Sequence, residues 1–207
     1  MTTDASSLRK FILRTLLWLP FCFAAWYYSA PYHTALAGSQ AHWLVNMFKS
    51  GIVTSLEQTK LTLVFETAIE IPIAGGRFAV LTPNVNPLLY TYGLALFLAL
   101  MLAAHARWWK ILAGAVVLLP FQSWGIAFDF LVQVGVLLGP KISSQAGLSG
   151  WRVETIALCY QIGNLIFPSL IPVVLWAIFN RPFIESLHHS PSGDAPVPPL
   201  AANNPSR

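Results

Sequence analysis

Residues 111–138 read ILAGAVVLLPFQSWGIAFDFLVQVGVLL, apolar throughout except for Gln122, Ser123, Asp129 and Gln133. A helix needs about 20 such residues to cross a bilayer, so this run predicts a transmembrane span. At 3.6 residues per turn, Gln122, Asp129 and Gln133 fall within about 40° of one another. They make one polar stripe on an apolar helix. Hydrocarbon does not solvate that stripe, and an ionisable group there costs about 2.5 to 3.5 kcal/mol on insertion scales. The stripe should therefore face other helices, a wet cavity or a partner protein.

The composition agrees with a membrane setting. The chain is 56% hydrophobic and only 10% charged, the balance of an integral membrane protein and not of a soluble domain. Eight Trp and six Tyr suit two interfacial belts. The net charge of +4 invites a nucleic-acid reading, but the basic residues are scattered beside apolar segments and form no patch. They are read as topology signals, and no nucleic acid is expected. Cys22 and Cys159 both lie in apolar segments, which argues against a disulfide framework.

Outward from the stripe helix, the chain reads as a frame of three further spans. Arg9, Lys10 and Arg14 precede a first span over 11–30, which puts the N-terminus in the cytoplasm. A signal peptide begins the same way, and Ala35-Leu36-Ala37 resembles a cleavage site. That site lies well past the apolar run, however, and Pro31 with Trp26, Tyr27 and Tyr28 stands where small residues would be wanted, so the span is read as retained. Residues 31–87 hold no run long enough to span and form the one sizeable outer loop. Within it, residues 40–49 mix Trp43, Leu44, Met47 and Phe48 with His42, Asn46 and Lys49, which suits an amphipathic helix on the membrane surface. Residues 61–67 and 77–81 alternate around Gly75-Gly76 and predict a strand, turn, strand unit. A lone hairpin is marginal in water, so this unit should lean on the helices or on another protein.

The second span, 88–104, opens after Asn86-Pro87, where proline is tolerated because its missing N–H would be unpaired anyway. Arg107, Trp108, Trp109 and Lys110 form a basic aromatic turn at the cytoplasmic face, and the stripe helix returns outward with Pro120 set to kink it near Gln122. Gly139-Pro140 stops it, and a short outer loop with Lys141, Trp151 and Arg152 leads to the last span, 153–179. That span carries Glu154, Tyr160, Gln161, Asn164 and Ser169, and Glu154 and Gln161 share a face. Residues 188–207, with five prolines, are read as a disordered cytoplasmic tail. Seven of the twelve Lys and Arg residues then fall inside and five outside, a modest bias resting on the inner span ends. The expected fold is an all-α membrane protein of four spans, both ends inside, whose outer loop holds a small β-hairpin-like unit.

Asp129 has a packing reading and a partner-site or substrate-site reading, with proton handling as a third. Its depth is open between the midplane and the outer third. Cys159 lies near the outer end of the last span, but a catalytic cysteine needs a base in reach and a lowered pKa, and nothing local supplies either. No catalytic residue is expected. His105 stands alone and His188-His189 sit together in the tail, so no ligand set converges on a metal, and no cofactor motif is present.

Several stretches carry a resemblance: Asn86 to Gly93 (NPLLYTYG), Leu119 to Gly125 (LPFQSWG) with Phe128-Asp129, Ser149-Gly150-Trp151, and Ala157 to Gly163 (ALCYQIG). With the opening Leu16 to Pro20 (LLWLP) and Trp26-Tyr27, they resemble the exosortase H-associated membrane protein family over residues 8–187. The resemblance implies a small bacterial inner-membrane protein working beside an exosortase, a multi-pass cysteine transpeptidase or protease that processes secreted proteins. The motifs are aromatic and proline patterns and not catalytic signatures, and an exosortase's own Cys, Arg and His arrangement is missing. The reading is a non-enzymatic accessory that binds the exosortase or its substrates through a polar inter-helix seam of Gln122, Asp129, Gln133, Glu154, Gln161 and Asn164. Asn86, Tyr90, Tyr92 and Trp151 stand at its outer mouth, and residues 31–87 become a periplasmic loop. A membrane-embedded enzyme of the cysteine peptidase type and a transport subunit are the alternatives. A homo-oligomer stays open.

Overall fold

The computed structural model describes residues 2–73 and 76–188. Gly75 of the expected turn and the expected tail beyond residue 188, with His189 and Arg207, lie outside the described residues. The helices are α1 (Thr2–Phe48), α2 (Leu88–Thr91), α3 (Gly93–Ala103), α4 (Trp108–Val132), α5 (Pro140–Gln145), α6 (Trp151–Gln161), α7 (Phe167–Phe179) and α8 (Arg181–His188). A wider, π-helical turn at Gln133–Leu137 prolongs α4, and another at Ile162–Ile166 joins α6 to α7. Pro168 follows the second of these and has no N–H for the Asn164 carbonyl, the kind of gap that widens a turn.

Three of these rods are long and apolar enough to cross a membrane, Leu8–Phe48, Trp108–Leu137 and Trp151–Phe179, while the apolar Leu88–Ala103 is shorter. The short one is the inner one. No residue of α3 is exposed, because α1, α4 and α7 pack around it. A helix enclosed by protein need not match a hydrocarbon layer of about 30 Å.

The first helix corrects the expected boundary. It does not stop at residue 30 but runs on to Phe48, so the loop begins at Lys49 and not at Pro31. Pro31 has no N–H for the Tyr27 carbonyl, and the loop meets the helix just past this point, where the Gln58 side-chain amide donates to Pro31 O and to Thr34 Oγ1, both at 3.1 Å. One stripe of α1 is buried along its length, from Phe11 through Cys22, Trp26, Ala30 and Thr34 to Ala37, Ala41 and Val45.

The second half of α1 is oblique. Trp26 Nε1 donates to Thr91 Oγ1 at 3.3 Å, and Ser123 Oγ donates to Gln40 Oε1 at 3.0 Å. Along the helix Trp26 and Gln40 are about 21 Å apart. Their partners, however, stand at nearly one level, since Tyr90, beside Thr91, packs on Gly125, close to Ser123. The far half of α1 therefore crosses α4 and does not stand beside it. The surface helix expected at 40–49 is this oblique end, fused to the first span, with Leu36, Trp43 and Met47 exposed along one side.

The basic span ends meet at the opposite end of the bundle. Arg14 Nη1 donates to His105 Nε2 at 3.0 Å, Lys110 Nζ donates to Phe179 O at 2.6 Å, and Phe11 stacks on Trp176 with centroids 5.1 Å apart. The N-terminal part of α1, the α3–α4 turn and the end of α7 thus share one end.

The loop contains β1 (Val53–Thr59), β2 (Thr62–Thr67), β3 (Glu70–Ile73), β4 (Arg77–Val80) and β5 (Asn84–Val85). The expected unit is rewired. Strand β2 meets the expected partner only at Leu81, whose carbonyl accepts from the Thr67 N–H at 3.2 Å; it does not pair with residues 77–80 and lies between β1 and β5, with Leu56 opposite Phe65 and Leu63 opposite Val85. Strand β4 pairs instead with β3, Glu70 opposite Val80. Strand β1 (VTSLEQT) is missed from sequence because, as an edge strand, it carries little apolar alternation. The buried face of β2, Leu63 and Phe65, rests on Ala37, Ala41 and Val45 of α1 and on Phe130 and Leu131 of α4 in one core cluster. Phe65 stacks on Phe130 at 4.6 Å.

Candidate functional site

Asp129 sits where α4 passes into its wider turn, and two donors reach its carboxyl. Gln133 Nε2, one turn on, donates to Asp129 Oδ1 at 3.3 Å and to the Asn84 carbonyl of β5 at 3.0 Å. The Tyr90 phenol hydrogen-bonds the same carboxyl and also meets the Tyr160 phenol from α6. Four elements, β5, α2, α4 and α6, are joined through one half-buried acid. Asp129 and Gln133 share a face as the stripe predicts, and that face looks into the protein.

Tyr90 is positioned by glycine. A Cβ on Gly125 would lie 2.3 Å from Tyr90 Cδ1, and one on Gly163 would lie 3.2 Å from Gly125 Cα, so ring and backbones approach where any side chain would block them. Gly93 does the same one helix away: a Cβ there would lie 2.4 Å from Pro168 O. That carbonyl has lost its helical donor, because Pro172 brings no N–H.

The other predicted seam residues separate. Gln122 is buried beside Tyr90, Gly93, Phe167, Pro168 and Pro172, around a void of about 10 Å³, and so faces α7 and the start of α3. That is roughly the space one water needs. Its neighbour Ser123 turns the other way to Gln40, a link the stripe argument passed over. Asn164 is half-buried in the wider turn, whereas Glu154 and Gln161 are exposed on α6. Adjacent residues on a helix lie about 100° apart, so Tyr160 can look inward only if Gln161 looks out.

Gln161 has no hydrogen-bond partner among the described residues, and neither has Glu154. Leu158 and Leu165, on the same side, are 58% and 68% exposed. Gln161 lies ten positions into the span that opens at Trp151, about 15 Å along it. A polar amide therefore faces outward from the middle of an apolar helix face.

The residues expected at an outer mouth lie apart. Asn86 Oδ1 accepts from the Leu88 N–H at 3.1 Å and fastens the start of α2, a local turn bond. Tyr90 is 2% exposed and belongs to the interior, Tyr92 is half-buried, and Trp151 is 70% exposed on the outer side of α6. The start of the short span is drawn into the bundle by Gly125, which is why these residues do not line an opening together. Cys159 is half-buried, and its carbonyl accepts from Trp124 Nε1 at 3.2 Å. Among the described residues no group of three His, Cys, Asp or Glu side chains could hold a metal ion.

Tyr90, Gly125, Asp129, Tyr160 and Gly163, distant in sequence, thus meet in one junction, with Gln122 and Gly93 beside Tyr90 on its α7 side, and they belong to the stretches that carry the family resemblance. The family model described as exosortase H-associated membrane protein matches residues 5–183. No curated protein and no solved structure matches the chain. The match covers most of the chain and the whole of this junction: the chain belongs to the exosortase H-associated membrane protein family.

Proposed function

We propose that this chain is a non-enzymatic accessory subunit of an exosortase-type protein-sorting system in a bacterial inner membrane, with both termini cytoplasmic and four spans counting the short one. It binds the exosortase, or the membrane anchor of the exosortase's substrate, along the outer face of α6. The observation that carries this reading is Gln161, exposed and without a partner on a membrane-crossing helix. Lipid tails offer an amide nothing to bond, and a polar side chain from a neighbouring helix does. Leu158 and Leu165 flank it with apolar surface, and Glu154 lies about two turns outward on the same side, near the water. The seam that meets the partner is then Glu154 and Gln161, while Asp129, Gln133 and Gln122 hold the bundle together from inside. The family's name supplies the exosortase as the partner to try first.

The test is co-purification of an exosortase from the same organism with wild type and with Gln161→Leu. An interhelical hydrogen bond contributes about 0.6 to 2 kcal/mol, so recovery at limiting partner should fall roughly 3- to 30-fold with no loss of the accessory protein itself. Undiminished recovery with Gln161→Leu and with a Glu154→Gln, Gln161→Leu double variant would remove this face as the binding seam. The size of the purified chain alone, compared between wild type and Gln161→Leu, reports whether a second copy occupies the face.

A further inference from the structure

A second feature of the same membrane region faces elsewhere. Between the oblique end of α1 and α6, with α4 as floor, runs a groove of about 340 Å³ lined by Leu44, Met47, Phe48, Trp124, Phe128 and Cys159 among others, almost wholly apolar. It meets another apolar groove, about 470 Å³, at the shared Leu44, where Trp43 and Pro120 form the walls. Both lie away from the Arg14–His105 end. Thr155 and Cys159 sit about 120° around α6 from the Glu154, Leu158 and Gln161 face, so the grooves and the partner face are separate surfaces.

Two cations stand near in sequence to residues that line the first groove, just beyond its lining. Lys49 follows Phe48 directly, and its ammonium rests against Gly147 in the loop that leads to α6: a Cβ on Gly147 would lie 3.1 Å from Lys49 Nζ. Arg152 lies one turn outward of Thr155 on the same side of α6. Both are half-buried, and neither has an acidic partner among the described residues. Apolar walls with two unpartnered cations beyond one end match one chemistry, a phosphate joined to acyl chains.

We infer that this groove binds an anionic phospholipid of the leaflet opposite the Arg14–His105 end, its phosphate held by Lys49 and Arg152 and its chains lying along Leu44 and Phe48. Charge favours a lipid over an apolar helix, which would bring no phosphate to Lys49 and Arg152. An acyl tail would lie in the open gap between α1 and α6, along Leu44 and Phe48.

The test uses the full chain, purified in detergent, supplied with phosphatidylglycerol or phosphatidylcholine of the same tails, and examined by native mass spectrometry. Wild type should retain one phosphatidylglycerol at least about tenfold better than phosphatidylcholine. A Lys49→Gln, Arg152→Gln double variant should lose that preference, and glycerophosphoglycerol, a headgroup without tails, should not compete. Cys159→Phe fills the groove while leaving both cations, and should block retention. Thr155→Phe, at the half-buried rim, gives the same readout if Cys159→Phe fails to fold. Equal retention of the two lipids, preference surviving in the double variant, competition by the tail-free headgroup, or retention surviving in a folded groove-filling variant would each overturn the inference. No partner protein enters this assay, so its result stands apart from that of the exosortase co-purification.

Discussion

Gly125→Ala is the sharpest test of how the bundle is built. The new methyl would lie 2.3 Å from Tyr90 Cδ1, 2.7 Å from Cγ and 3.0 Å from Cβ, against ordinary contacts of 3.4–4 Å. The ring is 2% exposed and cannot swing aside without displacing neighbours, and its phenol would leave Asp129 as it moved. Overpacking of this kind costs about 1–3 kcal/mol, and a lost hydrogen bond about 1 kcal/mol more. Alanine's better helix propensity returns up to about 1 kcal/mol, leaving a net loss of about 1–3 kcal/mol. The measurement is unfolding in mixed micelles titrated with SDS and followed by Trp fluorescence. Gly135→Ala is the control, because its methyl would meet only the flexible ends of Leu148 at 3.3 Å and Ile156 at 3.5 Å. A Tyr90→Ala background removes the atoms nearest the clash, so the two substitutions should be non-additive by at least about 1 kcal/mol. Equal stability of Gly125→Ala and Gly135→Ala, or strict additivity with Tyr90→Ala, would refute the packing argument.

Three further outcomes are expected. With Cys22 and Cys159 replaced by serine, Gln40→Cys and Ser123→Cys should be bridged by a short bifunctional thiol crosslinker, since the long glutamine spans the gap to Ser123 at 3.0 Å; failure to bridge in folded protein would contradict the oblique course of α1. Reporter fusions after Gly76 and after Ser192 should report opposite compartments, outside and inside, and agreement between them would end the four-span proposal. Asp129→Ala should lower stability by about 1–3 kcal/mol, since Tyr90 and Gln133 both lose an acceptor. Asp129→Asn should cost less than half as much in the same SDS titration, because its amide donates to the Tyr90 oxygen once that phenol turns to Tyr160.

The apolar spans, the gathering of the basic span ends at one end of the bundle and the inward face of Asp129 and Gln133 were legible because each rests on periodicity or composition along one segment. What was not legible depended on other segments. Pro31 marks a helix end by local rules, yet α1 runs through it, and the contact beside it comes from Gln58, on a strand beyond the helix. Strand β1 has too little alternation to announce itself, so β2 was given the wrong partner. Glu154 and Gln161 do share a face of α6, as their spacing says, but spacing on one helix cannot tell which way that face turns. The tie-breaker was Tyr160, whose phenol meets Tyr90 inside and so turns Gln161 out.

That split changes what a polar residue in this membrane domain implies. Asp129 has two donors from its own chain, so its desolvation is offset within the fold and a partner adds little to it. Gln161 has none, so any helix that bonds it gains what lipid cannot give. Variants at the two sites should therefore fail in different assays, Asp129→Ala in unfolding and Gln161→Leu in partner recovery at unchanged stability. The reasoning gives way if Asp129→Asn, folded and as stable as wild type, abolishes recovery of the exosortase. In that case the acid reaches the partner through the Tyr90–Tyr160 pair, and the inner junction and the outer face act as one seam.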